Sequence, residues 1–174
     1  MAGDPIDLRG RRVRLRSTTP EDREALIALR RTEVVRRWWR GEDFDAEFDA
    51  DLADQELHML TIEVGSRVVG LIQFGEESDP DYRHANLDLY LDPAVHRQGL
   101  GSEAIRTLVA YLFEVRGHHR LTIDPAAENV AAIACYRSVG FRPVGVMRQY
   151  ERRQDGSWAD GMLLELLVED VVPS

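Results

Sequence analysis

A stretch that passes from an extended run into a helix through two glycines limits this chain to folds in which a strand abuts a helix N-terminus. Residues 87–115 read LDLYLDPAVHRQGLGSEAIRTLVAYLFEV. The alternation over Ala85 to Leu91 predicts a strand, ended by Asp92-Pro93. Ala104, Ile105, Leu108, Leu112 and Phe113 recur at helical spacing and predict a helix over Ser102 to Val115. Between them lies Gly99-x-Gly101. A helix start offers unpaired N–H groups and partial positive charge, and glycines there let an anion approach the main chain. The loop is built like a pyrophosphate cradle. No Lys-Ser/Thr pair follows, so it is not a nucleotide P-loop, and the dinucleotide glycine spacing is incomplete.

The flanking pattern sets the fold class. Strands are expected at Arg11–Arg16, Met59–Val64, Arg67–Phe74 and Leu121–Asp124, with Gly65-Ser66 closing the second and third into a hairpin. Thr19-Pro20-Glu21-Asp22 is a helix start, placing a helix over Pro20 to Glu33. Phe44, Phe48 and Leu52 predict an acidic amphipathic helix from Phe44 to Glu56. A further helix runs from Glu128 to Val139 before Gly140, and a last hairpin pairs Val144–Arg152 with Met162–Val168 through Asp155-Gly156. Strands followed by helices, with antiparallel pairs at both ends, make an α/β (α+β) chain. A length of 174 residues suits a single domain over 1–174.

Charge and composition narrow the function. A net charge of −9 argues against a nucleic-acid partner and suits a cationic small molecule. The one cysteine, Cys135, rules out an internal disulfide framework and fits a reducing compartment. It lacks the placed histidine that a nucleophilic thiol requires. The start, MAGDPIDLRG, lacks the apolar core of a signal peptide, and no run is long enough to span a membrane, so a cytoplasmic location is expected. His118-His119 reads as a surface turn, with no further ligand at zinc-like spacing and no metal expected.

A second signal lies in DPAAENVAAIACYRSVGF, residues 124–141. Asn129 and Tyr136, seven apart, share one helix face, with the small Ala131, Ala132 and Ala134 between them. Taken with the glycine loop, this segment resembles the GCN5-related N-acetyltransferase (GNAT) superfamily, from the first strand to Val168. That resemblance implies a central mixed, mostly antiparallel sheet of six to seven strands flanked by about four helices. It implies acetyl-CoA as co-substrate, held by Leu89, Tyr90, Leu91, Val95, His96, Arg97, Gln98, Gly99, Leu100, Gly101 and Ser102, with Asn129 along the pantetheine. His96 stands at the family's Arg/Gln position, a departure that a backbone-built cradle tolerates. Tyr136 would lie near the sulfur and protonate the departing thiolate, and a backbone N–H within Leu89–Leu91 would serve the carbonyl oxygen. The amine attacks directly, without a covalent enzyme intermediate. The resemblance also admits a homodimer through the C-terminal strands.

The acceptor is read from nearer resemblances. RWWRGE and LTIDPAAENVAAIACYRSVGF are similar to segments of aminoglycoside 6′-N-acetyltransferases, an antibiotic-resistance group; siderophore-lysine acyltransferases share much of the pattern. Position by position, this makes Asp88 a catalytic carboxylate and Asp124 an acceptor-binding one, with Trp38, Trp39 and Glu42 forming an acceptor wall. The expected reaction is acetyl transfer to a primary amine of an aminoglycoside-like cation. A protein N-terminus, a polyamine and a siderophore-type amine are the alternative acceptors, and a non-catalytic acyl-CoA-binding module is the alternative class.

Overall fold

A computed structural model describes residues 5–173; residues 1–4 of the N-terminal stretch read above, and Ser174, lie outside them. The strands are β1 (Asp7–Arg9), β2 (Val13–Ser17), β3 (Leu57–Val64), β4 (Arg67–Glu77), β5 (His84–Leu91), β6 (Arg120–Ile123), β7 (Arg142–Arg152) and β8 (Trp158–Leu167). The helices are α1 (Arg23–Arg30), α2 (Glu33–Arg36), α3 (Phe44–Ala53), α4 (Leu100–Glu114) and α5 (Val130–Val139). One sheet runs in the order β1-β2-β3-β4-β5-β6-β8-β7. Every pair is antiparallel except β5–β6.

The mixed sheet with helices is as expected, but the counts are not. Eight strands replace six to seven, because β1 has only three residues and is too short to show a period. Among the described residues five helices replace about four, because the helix expected over Pro20 to Glu33 shortens to Arg23–Arg30 and a separate short helix, Glu33–Arg36, follows it. Pro20–Asp22 forms a 3-10 turn, with the buried Asp22 carboxylate accepting the Thr19 N–H at 2.9 Å. Thr32 then adopts extended backbone and its hydroxyl donates to the Leu29 carbonyl at 2.7 Å, ending α1 before α2 begins. The acidic helix stops at Ala53, where Asp54 turns extended. β8 starts four residues earlier than expected, at Trp158, where the buried positions are the small Ala159 and Gly161, which give little apolar signal.

Two apolar layers enclose the sheet. On one face α4 and α5 pack against Leu15, Leu60, Ile72 and Leu87; Ile105, Leu108 and Leu112 of α4 are fully buried. Each such side chain contributes about 2 kcal/mol on leaving water. On the other face Leu26 and Ile27 of α1 and Phe44 and Phe48 of α3 cover Met59, Leu71 and Tyr90. Near the β4 end, His118 is buried rather than a surface turn residue: its Nε2 bonds Glu76 at 2.6 Å, and Arg116 pairs with the same carboxylate. Among the described residues no cluster could hold a metal ion, and no helix is long and apolar enough to cross a membrane.

Candidate active site

The site lies where the sheet opens. β5 and β6 pair only through Ala85–Leu121 and Asn86–Thr122. β6 then leaves at Ile123 toward β8, so Leu87 to Leu91 run on along an unpaired edge. Leu89 shows the consequence. Its carbonyl accepts the Trp39 indole N–H at 3.1 Å, and its N–H donates to the Asp88 carboxylate at 2.8 Å. Neither group serves the β4–β5 ladder, as alternation in an antiparallel pair requires.

Alternation also divides the residues of β5. Leu87, Leu89 and Leu91 face the α4–α5 layer, and Tyr90 faces the α1–α3 layer, where its ring meets Trp39 edge-on at 4.8 Å. Asp88 shares the Tyr90 face. The Tyr90 hydroxyl donates to the Leu26 carbonyl at 3.2 Å, so of this residue only the backbone is available to a ligand.

Beyond Leu91 the chain forms the glycine loop. The His96 Nε2–H donates to the Leu91 carbonyl at 3.0 Å, giving that side chain a loop-closing role. Val95 is buried as an anchor, and Arg97 takes a left-handed φ of 62°. Gly99 opens α4 at φ 76°, a conformation that costs a side-chain-bearing residue about 1 kcal/mol. A Cβ on Gly101 would sit 3.3 Å from Leu91 and 3.6 Å from Cys135 Sγ, so this glycine lets α4 lie close to β5 and α5. Ser102 ties its hydroxyl to the Gly99 carbonyl at 3.0 Å.

Sequence reasoning missed Arg12. Its guanidinium donates to the Gln98 carbonyl at 2.9 Å and to Glu103 at 2.8 Å, standing beside the cradle from 86 residues away. No local pattern could announce that contact. The helix N-terminus, the two glycines and this cation suit a diphosphate, while the open β5 edge suits the amides of a pantetheine arm.

Asp88 and Tyr136 lie close enough for the Asp88 charge to bear on the Tyr136 phenol. Part of Asp88 remains open to solvent, yet packing around the carboxyl is dense. Burial pushes its pKa up to about 7, repulsion from Asp124 and Glu151 adds to the rise, and the Leu89 N–H opposes it. Tyr136 is 4% exposed, its ring 6.2 Å from Phe141. Burial first, and the Asp88 charge second, hold its phenol well above the ordinary range. Cys135 is also raised by burial, which disfavours a thiolate. Asn129 acts as the α5 N-cap, its Oδ1 accepting the Ala132 N–H at 3.2 Å.

The remaining expected residues sit on the far wall. Asp124 is exposed just after β6 and accepts the Tyr150 hydroxyl, a bond that raises the Tyr150 pKa to about 12. Arg40 and Glu151 form an ion pair at 2.9 Å, and burial raises the Glu151 pKa. Tyr150 and Glu151 were not foreseen, because the β7 pattern marks no residue as turned toward the site. Arg30 underpins the wall: its guanidinium lies 4.7 Å from the Phe44 ring, near Trp39, and donates to the Arg40 carbonyl and to Glu47. Glu47 in turn accepts the Glu42 N–H at 2.9 Å. Trp39 therefore reaches the β5 edge, whereas the Glu42 side chain is exposed and Trp38 lines an outer cleft.

Comparison with known proteins decides the family. Residues 12–142 match the model of the acetyltransferase (GNAT) domain, three quarters of the chain. The chain belongs to the GNAT acetyltransferase family. This acetyltransferase is 27% identical over 139 residues to the spermidine N(1)-acetyltransferase of Escherichia coli, covering 76% of this chain and 74% of that protein. It is 31% identical over 108 residues to N-alpha-acetyltransferase RimI of Mycobacterium tuberculosis, covering 62% and 66%. It is 28% identical over 156 residues to aminoglycoside N(6′)-acetyltransferase type 1 of Klebsiella pneumoniae, covering 78% and 76%. Its fold matches that of Mycobacterium smegmatis RimJ in complex with CoA-disulfide, with a TM-score of 0.78, 20% identity, and coverage of 98% and 90%. The likeness is to the family at large rather than to its aminoglycoside branch. The acetyltransferase uses acetyl-CoA as co-substrate and acts on an amine acceptor.

Proposed function

We propose that this single domain, residues 1–174, acetylates a primary amine of the protein-N-terminus or polyamine class, with Asp88 as the proton acceptor and Tyr136 as the proton donor. The observation that carries this reading is a carboxyl poised near neutral pH beside a phenol that burial keeps protonated. Asp88 titrates near 7, so it takes a proton from an ammonium around neutral pH. The Tyr136 phenol is held neutral and has a proton to give.

Acetyl-CoA supplies an activated acyl thioester, its diphosphate held by Val95 to Ser102 and its arm along Leu89 to Leu91. Asp88 draws the acceptor's ammonium by charge and accepts one of its protons; the free amine attacks the thioester carbonyl, and the nitrogen loses its second proton to solvent as the C–S bond breaks. The same carboxylate holds the Leu89 N–H. As a proton arrives, that hold weakens, and the N–H is released toward the carbonyl oxygen where charge develops. Tyr136 passes its proton to the departing sulfur, and solvent restores it. Asp124 and Trp39 hold the acceptor side, and the exposed Glu42 stands at its rim.

The aminoglycoside reading draws on the same carboxylates, Asp88, Asp124 and Glu151. It needs them open to several ammonium groups at once, and Arg40 occupies Glu151. Thiol release from acetyl-CoA, followed over N-terminal peptides, polyamines and aminoglycosides, tests the assignment. Turnover of peptides or polyamines above kanamycin-type sugars is expected. Preferred turnover of the sugars would reverse the acceptor class, and absence of turnover on every amine would sink the transfer reading.

A further inference from the structure

Just outside the carboxylates the charge changes sign. A cleft of about 310 Å³ runs between the segment around α2 and the β7–β8 turn. Arg36, Arg37, Arg40 and Arg153 line it, with Trp38 beside them, in a chain whose net charge is −9. Two acids, Glu128 and Asp155, also line it. Glu128 is paired with Arg153, and Asp155 accepts both the N–H and the hydroxyl of Ser157. Arg40 is paired with Glu151. Arg36 and Arg37 are exposed and form no ion pair among the described residues, and Arg37 lies over the Trp38 ring at 4.8 Å.

Guanidinium groups crowded together repel one another and pair strongly with carboxylates through forked hydrogen bonds. One ion pair links the cleft to the proposed acceptor wall: Arg40 lines the cleft, and its partner Glu151 lies close enough to Asp88 for their charges to interact. An acceptor entering here meets negative charge where its amine reacts and positive charge beyond. A polyamine would place its second cation against the arginines. A peptide amino terminus followed by acidic side chains matches both signs, and the aromatic face of Trp38 can lie along its backbone.

Resting on the amine-transfer reading above, we infer that the outer cleft is a subsite for carboxylate side chains in the first few residues of a peptide acceptor, with Arg36 and Arg37 as its specificity-determining residues. The full chain would be assayed with acetyl-CoA and three peptides sharing an N-terminal alanine and differing in acidic, amide or basic residues after it, beside spermidine. The acidic peptide should have a KM roughly tenfold below its amide counterpart at low salt, with the gap closing as salt rises. R36Q/R37Q should narrow that gap to about twofold by raising the acidic peptide's KM, while R36K/R37K keeps most of it. R36E/R37E should shift preference toward the basic peptide. Equal KM values for the acidic and amide peptides, or preference for spermidine, would overturn the inference.

Fluorescence-detected binding of the Nα-acetylated acidic peptide keeps the two readings apart. Binding weakened by R36Q/R37Q in a chain that turns over no amine would retain the cleft and refute the transfer reading. Turnover with no charge preference in either assay would do the reverse. Thermal unfolding of each variant at the wild-type temperature excludes misfolding as the cause.

Discussion

The two sides of the opening are built in different ways. The side proposed for acyl-CoA is a continuous run, Leu89 to Ser102, which offers backbone N–H and C=O groups set by one strand end, two glycines and one helix start. The side proposed for the acceptor is assembled from side chains on the segment after α2, the end of β6 and the β7 strand, tied by Arg30, the Arg40–Glu151 pair and the Tyr150–Asp124 bond. A backbone-built cradle binds one shape and tolerates side-chain change, as His96 illustrates. A wall made of side chains on separate segments can change its charge pattern without disturbing the fold. On the proposed assignment, family chemistry resides on one side and acceptor choice on the other.

Substitutions on the two sides should separate cleanly in kinetics. The largest effect is expected for Asp88→Asn, which should lower kcat roughly a thousandfold and remove the rise in activity through pH 7. Its stability profile gives an independent check. Between about 3.8 and 7 the folded chain keeps Asp88 protonated while the unfolded chain ionises it, so stability falls as pH rises through that window. Asp88→Asn should flatten that fall in denaturant titrations at pH 4.5 and pH 7.5. An unchanged slope would refute the burial of this carboxyl.

Tyr136→Phe should reduce kcat roughly a hundredfold with little change in either KM, because it removes a proton donor but keeps the packed ring. A substrate with a more acidic leaving thiol should recover part of the loss. Gly99→Ala tests the cradle. It forces a Cβ into a left-handed position and should raise the acetyl-CoA KM about tenfold, cost about 1 kcal/mol of stability, and leave the acceptor KM alone. Trp39→Phe should act on the other side and least strongly. It loses the indole bond to the Leu89 carbonyl and should raise the acceptor KM about threefold. Should Gly99→Ala move the acceptor KM, or Trp39→Phe the acetyl-CoA KM by as much as the acceptor's, the division of labour drawn here would fail.

Much of the fold can be read from the chain, and the reasons are local. The apolar spacing of α4, the hairpin at Gly65-Ser66 and the glycine loop each depend on neighbours within a few residues. Where the reading failed, something non-local or featureless intervened. Thr32 broke a helix that its apolar spacing would continue. β1 is too short to show alternation, and the buried positions in the outer part of β8 are the small Ala159 and Gly161. His118 was read as surface because Glu76, its partner, lies 42 residues away. At the proposed site, the sequence motifs single out Asp88, Asp124 and Tyr136 as candidates but not Arg12, Tyr150 and Glu151, whose contacts are made only after the sheet closes.

What the sequence determined by itself is the strand–glycine–helix junction, the α5 face bearing Tyr136, and hence the family. Short-range spacing fixes backbone conformation, and backbone conformation makes the cradle. Only the tertiary structure decided the charge map of the acceptor side. Charges act through space, and the segments that carry Asp88, Arg40, Glu151 and the arginine cleft meet because β5 parts from β6 and the β7–β8 hairpin folds toward α2. That is also why an acidic chain can hold a basic cleft: net charge is a sum along the sequence, while recognition depends on which members of that sum the fold places together.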